Sequence, residues 1–394
     1  ENTKNSQYSI LIFNWRDTKH EWAGGAETYI HELAKKWAQE GNHVTIFCGN
    51  DERNPKNQII EGVRIIRRGG YYSVYIWAAI YYIFKLRKNT DVIVDSENGI
   101  PFFTPIFAFK PIVLLIHHVH QEIFMTELKF PLSYIARFIE GKLMPMVYKN
   151  STVVTVSESS KKAITKLKLA VNQNIQIIHP GITLPKKLYR KTDSPTFVYL
   201  GRLKPYKNID IAIRAFGLIE EKVANAKLLI VGDGESREKL EKLVIKLNLT
   251  RKVKFYGKVK ENMKLKLLSQ GWVALQPSKI EGWGLTVIEA NACKTPVIAT
   301  NTEGLKDSII NGRTGILVSY KDVKGFAKEM LMLSKNKKKR IEMSKLAFDW
   351  SKNFNWTNCS SEFFAILSNE VLKKRYSFGE KQIDYLLNRL TSIF

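Results

Sequence analysis

The feature that most constrains this chain is an alternation of strand and helix patterns that runs through it twice. Short apolar runs such as Tyr8–Phe13 and Pro111–Ile116 alternate with segments whose apolar residues recur at helical spacing. A polar, proline-bearing stretch at 185–195 interrupts the series, and Thr196–Leu200 opens a second series of the same kind. Strands joined through helices pair in parallel, with the helices covering both faces of the sheet. The pattern therefore predicts an α/β protein with two doubly wound parallel sheets.

Length and cysteine usage agree with this organisation. The chain has 394 residues, which exceeds what one core ordinarily supports. Cys48, Cys293 and Cys359 are far apart and in no metal-ligand spacing, and we expect Cys48 and Cys293 to be small core residues in a reducing compartment. The first residues are polar and the apolar run behind them is too short for a secretory signal. The expected location is the cytoplasm.

The charge balance is strongly basic, with 62 Lys and Arg against 37 Asp and Glu and a net charge of +25. Such an excess favours a polyanionic partner, and the basic residues are not interleaved with aromatics as in nucleic-acid modules. We therefore expect phosphate groups or an anionic membrane, and no nucleic acid. The aromatic helix predicted over Tyr71–Arg87 is either buried or lies at a membrane surface. The run 335–340 is interpreted as a solvated helix start or loop.

Glycines follow the first predicted strand at the start of a helix. Gly24 and Gly25 would allow the first backbone N–H groups of that helix to approach a phosphate closely. The spacing is not the dinucleotide pattern of a dehydrogenase. A pair of glycines is also compatible with a plain tight turn.

A second anion site is predicted over Gln276–Ala290. An apolar strand pattern, a loop containing Gly282 and Gly284, and a helix pattern follow one another, so unpaired helix N–H groups face the loop. Phosphate binding alone would not need Glu281 or Glu289, and their carboxylates indicate hydroxyls beside the phosphate, as in a sugar. The competing interpretation is an ordinary loop and a solvated helix residue.

Basic side chains and histidines end two further strands. Arg202 and Lys207 share one strand-to-helix loop and could converge on a diphosphate. His117, His118 and His120 follow the strand at Pro111–Ile116, where ligands of open parallel sheets bind. We expect no metal there, because no carboxylate is placed to complete a ligand set. One histidine is expected to bond a hydroxyl, and the others are structural.

Six motifs in this order resemble the retaining glycosyltransferases of family 4, which have the two-domain GT-B architecture. The resemblance spans most of the chain. The residues that carry it are Gly24-Gly25-Ala26-Glu27, the strand end at His117, Val156-Ser157-Glu158-Ser159, Gly201-Arg202-Leu203 with Lys207, Val231-Gly232-Asp233-Gly234, and Glu281 with Glu289.

The resemblance implies a fold and a domain division. It implies two Rossmann-like domains facing a central cleft, with an acceptor-side domain at 1–188 and a donor-side domain at 189–355. The helical remainder, 356–394, would cross back to the N-terminal domain.

The resemblance also implies residue roles. Arg202 and Lys207 would hold the donor diphosphate, Glu289 the ribose, and Glu281 and His117 the sugar hydroxyls. His117, Arg202, Lys207 and Glu281 are thus the expected catalytic residues. Further donor contacts are expected from Gly24, Gly25, Gly234, Gly257, Lys258, Val259, Gly284, Leu285 and Thr286, and no metal is expected.

The implied activity is retaining, metal-independent transfer of a hexose from a UDP- or GDP-sugar, with no further cofactor, to an acceptor hydroxyl. The expected acceptor is a glycan or a lipid-linked glycan in the assembly of cell-surface polysaccharide, glycolipid or lipid-linked glycan, with the protein bound peripherally to the cytoplasmic face of the membrane. Two alternatives stay open: a sugar-nucleotide epimerase of the same fold, and a non-catalytic sugar-nucleotide-binding protein.

Overall fold

The structure is a computed structural model that describes residues 7–170 and 174–391, with side chains described as far as Arg375. The chain divides into two compact units. The N-terminal unit comprises the described residues of Glu1–Thr155, Lys161–Ile178 and Trp356–Phe394, and the C-terminal unit comprises Val156–Ser160 and His179–Asn355.

The N-terminal unit is built on an eight-stranded sheet in the order β3-β4-β2-β1-β5-β6-β7-β8. All pairs are parallel except β3–β4. The central strands are buried, as an apolar run covered by helices on both faces requires. The strands are β1 (Ser9–Phe13), β2 (His43–Cys48), β3 (Asn57–Ile60), β4 (Val63–Arg67), β5 (Val92–Glu97), β6 (Ile112–Ile116), β7 (Thr152–Thr155) and β8 (Ile175–Ile177).

The helices around this sheet begin with α1, which follows the glycine pair. They are α1 (Gly25–Gln39), α2 (Val74–Tyr81), α3 (Thr104–Phe107), α4 (Gln121–Glu127), α5 (Leu132–Phe138), α6 (Met144–Val147) and α7 (Glu158–Lys166). The π-helical turns Tyr82–Leu86 and Ile139–Leu143 extend α2 and α5.

The C-terminal unit has a six-stranded, wholly parallel sheet in the order β11-β10-β9-β12-β13-β14. Its strand order reverses between β9 and β12, which is where open parallel sheets bind ligands. The strands are β9 (Thr196–Leu200), β10 (Lys227–Val231), β11 (Val253–Gly257), β12 (Val273–Gln276), β13 (Val297–Thr300) and β14 (Gly315–Val318). The helices are α8 (Ile209–Ile219), α9 (Arg237–Lys246), α10 (Glu261–Gln270), α11 (Leu285–Ala292), α12 (Leu305–Ser308), α13 (Val323–Lys335) and α14 (Lys337–Ser351).

The predicted α/β class with two doubly wound sheets is confirmed, and the last helix returns to the N-terminal unit. This helix, α15 (Trp356–Thr391), is one continuous element. It packs against α1, where the indole of Trp37 donates a hydrogen bond to the Ser360 carbonyl at 3.1 Å. Phe363 and Leu367 are fully buried, as its apolar periodicity predicts.

A hairpin was missed by the sequence prediction. Strands β3 and β4 pair in antiparallel fashion through a turn at Glu61 and Gly62, both of which have positive φ. Residues of β3 alternate between exposed and half-buried, so the segment lacks the apolar run by which the central strands were recognised. Such two-residue turns with positive φ match the twist of the strands they join.

The polar stretch at 185–195, which separates the two predicted series, is bonded to the C-terminal unit. The Lys191 ammonium donates hydrogen bonds to the Gly271 carbonyl and the Thr295 hydroxyl, each at 2.6 Å. The backbone of Thr192 donates to the Gln270 carbonyl at 3.1 Å. Burial lowers the pKa of Lys191 to about 7.

Two further expectations are settled by burial. Cys48 and Cys293 are buried and carry free thiols, as expected of small core residues. The basic run at 335–340 contains the start of α14, where the Asn336 side chain accepts a hydrogen bond from the Lys339 backbone at 2.9 Å.

Within the described residues, no helix is both long enough and apolar enough to cross a membrane.

Candidate functional site

Two neighbouring strands of the C-terminal unit bring the predicted donor residues together. The loop after β9 carries Arg202 and Lys207, and the loop after β12 carries Glu281. The two loops are joined directly, because the Lys279 backbone donates to the Tyr206 carbonyl at 2.8 Å. Parallel strands end at one edge of the sheet, so residues that are about 75 positions apart in sequence meet there.

Lys207 and Glu281 form an ion pair at the centre of this edge. The Lys207 ammonium lies 2.5 Å from Glu281 Oε1, and both side chains are largely buried. Burial opposes the charge on Lys207, but the Glu281 carboxylate outweighs it and raises the pKa of the ammonium above its ordinary value. Lys207 is therefore a cation at neutral pH. Arg202 lies on the same loop, where its guanidinium is 3.5 Å from the Tyr206 hydroxyl.

Gly304, which the sequence analysis missed, supports the Glu281 loop from behind. The Glu281 backbone donates to the Glu303 carbonyl at 3.2 Å. Gly304 has φ of 78°, and a Cβ there would overlap the Glu281 carbonyl oxygen. Only glycine permits this close approach of two backbones. Gly304 precedes α12 and gave no separate signal in the sequence, because its partner Glu281 is more than twenty residues away.

Helix α11 begins at Leu285, four residues after Glu281 in the chain. Gly284 caps the helix with φ of 86°, and Leu285 and Thr286 form its first turn, whose N–H groups are those a helix leaves unpaired. The Gln276 side chain fixes the turn to the sheet by donating to the Leu200 carbonyl at 2.8 Å and the Thr286 hydroxyl at 2.7 Å.

Glu289 lies one turn further along α11 and is only partly exposed. Its carboxylate is 2.7 Å from the Lys264 ammonium, which also lies 2.8 Å from Glu261. Burial opposes the charge on Lys264, but these carboxylates outweigh it and raise its pKa. Glu289 is thus held by a cation and is not the freely solvated residue of the alternative interpretation.

The two loops that carry the predicted donor contacts Gly234 and Gly257 also meet within the C-terminal unit. Gly232 donates to the Gly257 carbonyl at 2.9 Å, which joins the end of β10 to the end of β11. Gly234 follows on the first of these loops, and its backbone bonds to the Asp233 carboxylate at 2.8 Å. Lys258 is exposed and Val259 packs on the apolar core beneath.

Trp283 is an anchor rather than a ligand contact. It is 4% exposed and stacks on the His179 ring at 4.0 Å between centroids, with Phe354 edge-on at 5.2 Å. His179 in turn contacts the Val156 carbonyl through Nδ1 at 2.8 Å. The aromatic in the Glu-Gly-Trp-Gly sequence therefore holds the loop that carries Glu281.

In the N-terminal unit, the predicted glycine loop is held by the Glu27 carboxylate, a residue of the same motif to which the sequence assigned no role. The Gly24 backbone donates to Glu27 Oε2 at 2.6 Å, and Arg16 and Asn98 reach Glu27 Oε1 at 2.9 and 2.8 Å. Glu27 is 2% exposed, and these donors stabilise its buried charge. Gly24 is the N-cap of α1, and Gly25 is the first residue of this helix.

His117 lies directly after β6 and is buried against Tyr29, whose ring is edge-on at 5.4 Å. Burial lowers the pKa of His117 to about 4. The imidazole is therefore neutral at physiological pH and has both a donor and an acceptor nitrogen.

The expectation that no carboxylate accompanies these histidines was wrong. His120 Nδ1 lies 3.4 Å from Glu97 and 3.7 Å from Glu140, and all three residues are buried. Glu97 ends β5, and Glu140 lies in the π-helical turn after α5, so neither is near His120 in sequence. Their ligand atoms lie within 4.8 Å of one another, and among the described residues this cluster could hold a metal ion.

The cluster also has a structural role. Glu140 accepts from the backbone of His120 at 2.6 Å and from the side chain of Gln121 at 2.7 Å. Burial opposes the charge on His120, but the Glu97 and Glu140 carboxylates outweigh it and raise its pKa to about 10. A protonated His120 thus balances the two carboxylates, and the loop that begins at His117 is fixed at its far end.

A cavity of about 500 Å³ in the C-terminal unit lies away from these residues. It is lined by the start of α14 and the turn at Gly312 and Arg313, and by none of the predicted donor residues.

Two family models match consecutive parts of the chain. Residues 23–185 match the glycosyltransferase family 4 model, and residues 182–350 match the model for glycosyl transferases group 1. Together the two matches run from residue 23 to residue 350 and include parts of both units. Sheet order, strand-end loops and these matches define a glycosyltransferase of the GT-B class. The chain belongs to glycosyltransferase family 4.

Relatives and solved structures agree with this class. An uncharacterized glycosyltransferase of Methanocaldococcus jannaschii is 25% identical over 86% of this chain and 93% of its own length. A glycogen synthase of Mycobacterium tuberculosis is 28% identical over 81% of this chain and 84% of its own.

Among solved structures, the sucrose-phosphate synthase of Thermosynechococcus elongatus superposes with a TM-score of 0.79 at 21% identity, covering 92% of this chain and 99% of its own. HepE of Anabaena, solved in complex with UDP-glucose, superposes with a TM-score of 0.73 at 17% identity over 92% and 100%. At these identities the likeness shows the fold.

Proposed function

We propose that this protein is a retaining, metal-independent glycosyltransferase that moves a hexose from a UDP- or GDP-linked donor to an acceptor hydroxyl. The observation that carries the proposal is the Lys207–Glu281 pair at the carboxyl edge of β9 and β12, beside the first turn of α11. A cation, a carboxylate and unpaired helix N–H groups are the groups that a diphosphate joined to a sugar requires.

The proposed role of Arg202 and Lys207 is to hold the diphosphate. As the bond to the sugar breaks, negative charge grows on the leaving diphosphate, and fixed cations stabilise it. The backbone N–H groups of Gly284, Leu285 and Thr286 would add to this stabilisation, since they lie at the positive end of the α11 dipole. These groups supply the positive charge that other transferases obtain from a metal ion.

The carboxylates are proposed to bind hydroxyls. Glu281 would accept a hydrogen bond from a donor-sugar hydroxyl while Lys207 turns to the diphosphate, and Glu289 would accept from the ribose. Gly234, Gly257, Lys258 and Val259 would flank the base. On the family resemblance alone, we assign Gly24 and Gly25 to the diphosphate and His117 to the sugar, and we assign retention of the anomeric configuration.

Binding of nucleoside diphosphates is the first test. UDP and GDP should raise the melting temperature, by an amount that grows with ligand concentration because only the native state binds. Lys207→Met should weaken binding and reduce the shift. As a matched control, Lys204→Met removes a lysine of the same loop that pairs with the exposed Glu235. No shift with any nucleoside diphosphate would contradict the proposal.

Turnover separates the proposed activity from its alternatives. Radiolabelled UDP- and GDP-hexoses are incubated with the protein, with and without a mixture of candidate glycan acceptors. Transfer to acceptor, or slow hydrolysis of the donor, supports a transferase. An epimerised donor would favour a sugar-nucleotide epimerase, and tight binding without any turnover would favour a non-catalytic binding protein.

We also propose that the N-terminal unit binds the cytoplasmic face of an anionic membrane, where a lipid-linked acceptor would be presented. Ile76, Ile80, Ile83 and Phe84 are exposed on one side of α2 and its π-helical extension, while Val74 and Ala78 on the other side are buried. Lys85, Arg87 and Lys88 follow at the end of this helix. An apolar face with cations beside it suits a headgroup region, and the net charge of +25 favours anionic lipids.

Vesicle sedimentation tests the membrane proposal. The protein should pellet with vesicles that contain phosphatidylserine and should be released as salt is raised, because exposed charges are screened. Ile80→Glu together with Phe84→Glu should abolish pelleting. Ile245→Glu, at a residue of the C-terminal unit that is 62% exposed, is the matched control. Equal pelleting of all variants would contradict the proposed surface.

A further inference from the structure

We infer that Glu97, His120 and Glu140 form a zinc-binding site that joins three separate segments of the N-terminal unit. Glu97 ends β5, His120 precedes α4, and Glu140 lies in the π-helical turn that extends α5. The site goes beyond the proposed transfer reaction, because the cations assigned to the donor diphosphate belong to the C-terminal unit. A zinc ion bound here would stabilise the fold and would not take part in sugar transfer.

The spacing of the ligand atoms matches a zinc ion. His120 Nδ1 lies 3.4 Å from Glu97 Oε1 and 3.7 Å from Glu140 Oε1, and one ligand atom from each residue lies within 4.8 Å of the others. Zinc binds nitrogen and carboxylate oxygen at about 2.0–2.2 Å in tetrahedral sites, which places neighbouring ligand atoms about 3.3–3.6 Å apart. The three side chains therefore surround a position that zinc can occupy with little rearrangement.

Two buried polar atoms of the cluster have no hydrogen-bond partner among the described residues. They are Glu97 Oε2 and His120 Nδ1, on residues that are 0% and 8% exposed. A buried polar atom that is left without a partner costs free energy, and a metal ion would satisfy both atoms. Glu97 Oε2 would also supply the fourth ligand atom that a structural zinc site requires.

Neighbouring groups hold the ligands in place. The backbone of Gly99 donates a hydrogen bond to Glu97 Oε1 at 2.5 Å, which fixes the carboxylate and leaves its second oxygen available. The rings of His118 and Phe124 lie 4.1 and 5.6 Å from the His120 ring and fix its orientation. Metal sites are supported in this way, by surrounding groups that orient each ligand.

The burial of Glu140 requires a partner of positive charge. Glu140 is 1% exposed and follows the buried Ala136 by one helical turn, whereas the aromatic ring of Phe138 between them is 62% exposed. Glutamate is almost never fully buried unless it is paired. One divalent cation would neutralise both carboxylates, whereas a protonated His120 supplies a single positive charge. That protonated state remains available without zinc, so the fold should survive removal of the ion.

Zinc titration of the untagged protein, made metal-free by dialysis against EDTA, tests the inference. Elemental mass spectrometry should show one zinc per chain after reloading, and zinc should raise the melting temperature because it binds the native state. Glu97→Gln and Glu140→Gln should each weaken zinc binding by more than about 100-fold, the most that loss of an outer hydrogen bond costs. Glu61→Gln is the matched control, since Glu61 pairs with a different histidine, His31, at 3.0 Å. This variant should bind zinc as wild type does.

X-ray absorption of the zinc-loaded wild type identifies the ligands without any variant. Nitrogen and oxygen neighbours at about 2.0–2.2 Å, with no sulfur neighbour at about 2.3 Å, would support the site. A sulfur neighbour would assign the ion to the cysteines and overturn it. Failure of wild type to bind zinc, a thermal response to Mg²⁺ or Ca²⁺ but not to zinc, or equal binding by all variants would also overturn it. Each of these results leaves the proposed transferase standing, because transfer is expected to persist without zinc.

Discussion

Lys207 and Glu281 form an ion pair of 2.5 Å at the edge of the C-terminal sheet, and the Glu281 carboxylate raises the pKa of the Lys207 ammonium. A substrate phosphate would compete with Glu281 for the Lys207 ammonium. The pair therefore keeps a lysine charged and in place before the donor arrives, because a buried cation without a partner would be costly.

Lys207→Met and Glu281→Gln should each lower kcat by about 100- to 1000-fold, the cost of removing one group that stabilises charge in a transition state. Lys207→Met should also weaken nucleoside diphosphate binding, whereas Glu281→Gln should strengthen or preserve it by freeing the lysine. Steady-state kinetics and calorimetric titration with UDP and GDP measure both effects. Near wild-type turnover of either variant would contradict the assignment.

Glu289→Gln should weaken nucleoside diphosphate binding by about 10- to 100-fold, the effect of one hydrogen bond to a charged group. The fold should survive because Lys264 keeps its partner Glu261 at 2.8 Å. The sharper measurement uses 2′-deoxy- and 3′-deoxynucleotides. If Glu289 binds a ribose hydroxyl, wild type and variant should bind the nucleotide that lacks this hydroxyl equally well. If wild type still binds both analogues more tightly than the variant does, Glu289 does not bind a ribose hydroxyl.

Gly304→Ala should lower both stability and turnover, since its Cβ would overlap the Glu281 carbonyl oxygen. Gly312→Ala is the matched control: Gly312 has φ of 77°, against 78° for Gly304, and nothing lies near its Cβ. Both variants should lose about 1 kcal/mol, because alanine is disfavoured at positive φ. Only Gly304→Ala should lose more than this, together with transfer activity, in urea unfolding and kinetic assays. Equal losses of stability and of activity in the two variants would contradict a role of Gly304 in supporting the Glu281 loop.

The stability of the C-terminal unit should rise with pH above neutrality because of Lys191. Its pKa is about 7 in the folded protein, so between pH 7 and the ordinary value of 10.5 the unfolded chain binds the extra proton. Unfolding then takes up a proton, and the free energy of unfolding increases by at most about 1.4 kcal/mol per pH unit. Urea midpoints between pH 7 and 10 measure this slope. Lys191→Met should flatten it; an identical slope in the variant would assign the dependence to other groups.

Transfer should persist after dialysis against EDTA, because Arg202, Lys207 and the α11 N-terminus supply the positive charge. The Glu97, His120 and Glu140 cluster makes the measurement informative, since it could hold a metal ion. Metal content by mass spectrometry, before and after chelation, accompanies the initial rates. Activity that is lost on chelation and restored by Zn²⁺ or Mn²⁺ in wild type, but not in Glu97→Gln, would contradict metal independence.

Much of this protein could be predicted from its sequence, and the reason is periodicity. Buried parallel strands such as Thr196–Leu200 are continuous apolar runs, and glycine-bearing loops follow them at the strand ends. The order of these signals predicted two doubly wound sheets. The positions of Arg202, Lys207 and Glu281 in strand-end loops indicated that these residues lie close together. The half-exposed hairpin β3–β4 carries no such run, and it was missed.

The tertiary structure decided what sequence spacing cannot express. Glu97 lies on a strand more than twenty residues before His120, and Glu140 lies in a helical turn twenty residues after it. No local sequence pattern therefore joins the three residues. The contact of Gly304 with Glu281 and the contact of Asn98 with Glu27 are likewise made by folding. The sequence alone determined the class of sheet and the loops at its edge; packing alone decided which buried charges face each other, because burial without a partner is costly.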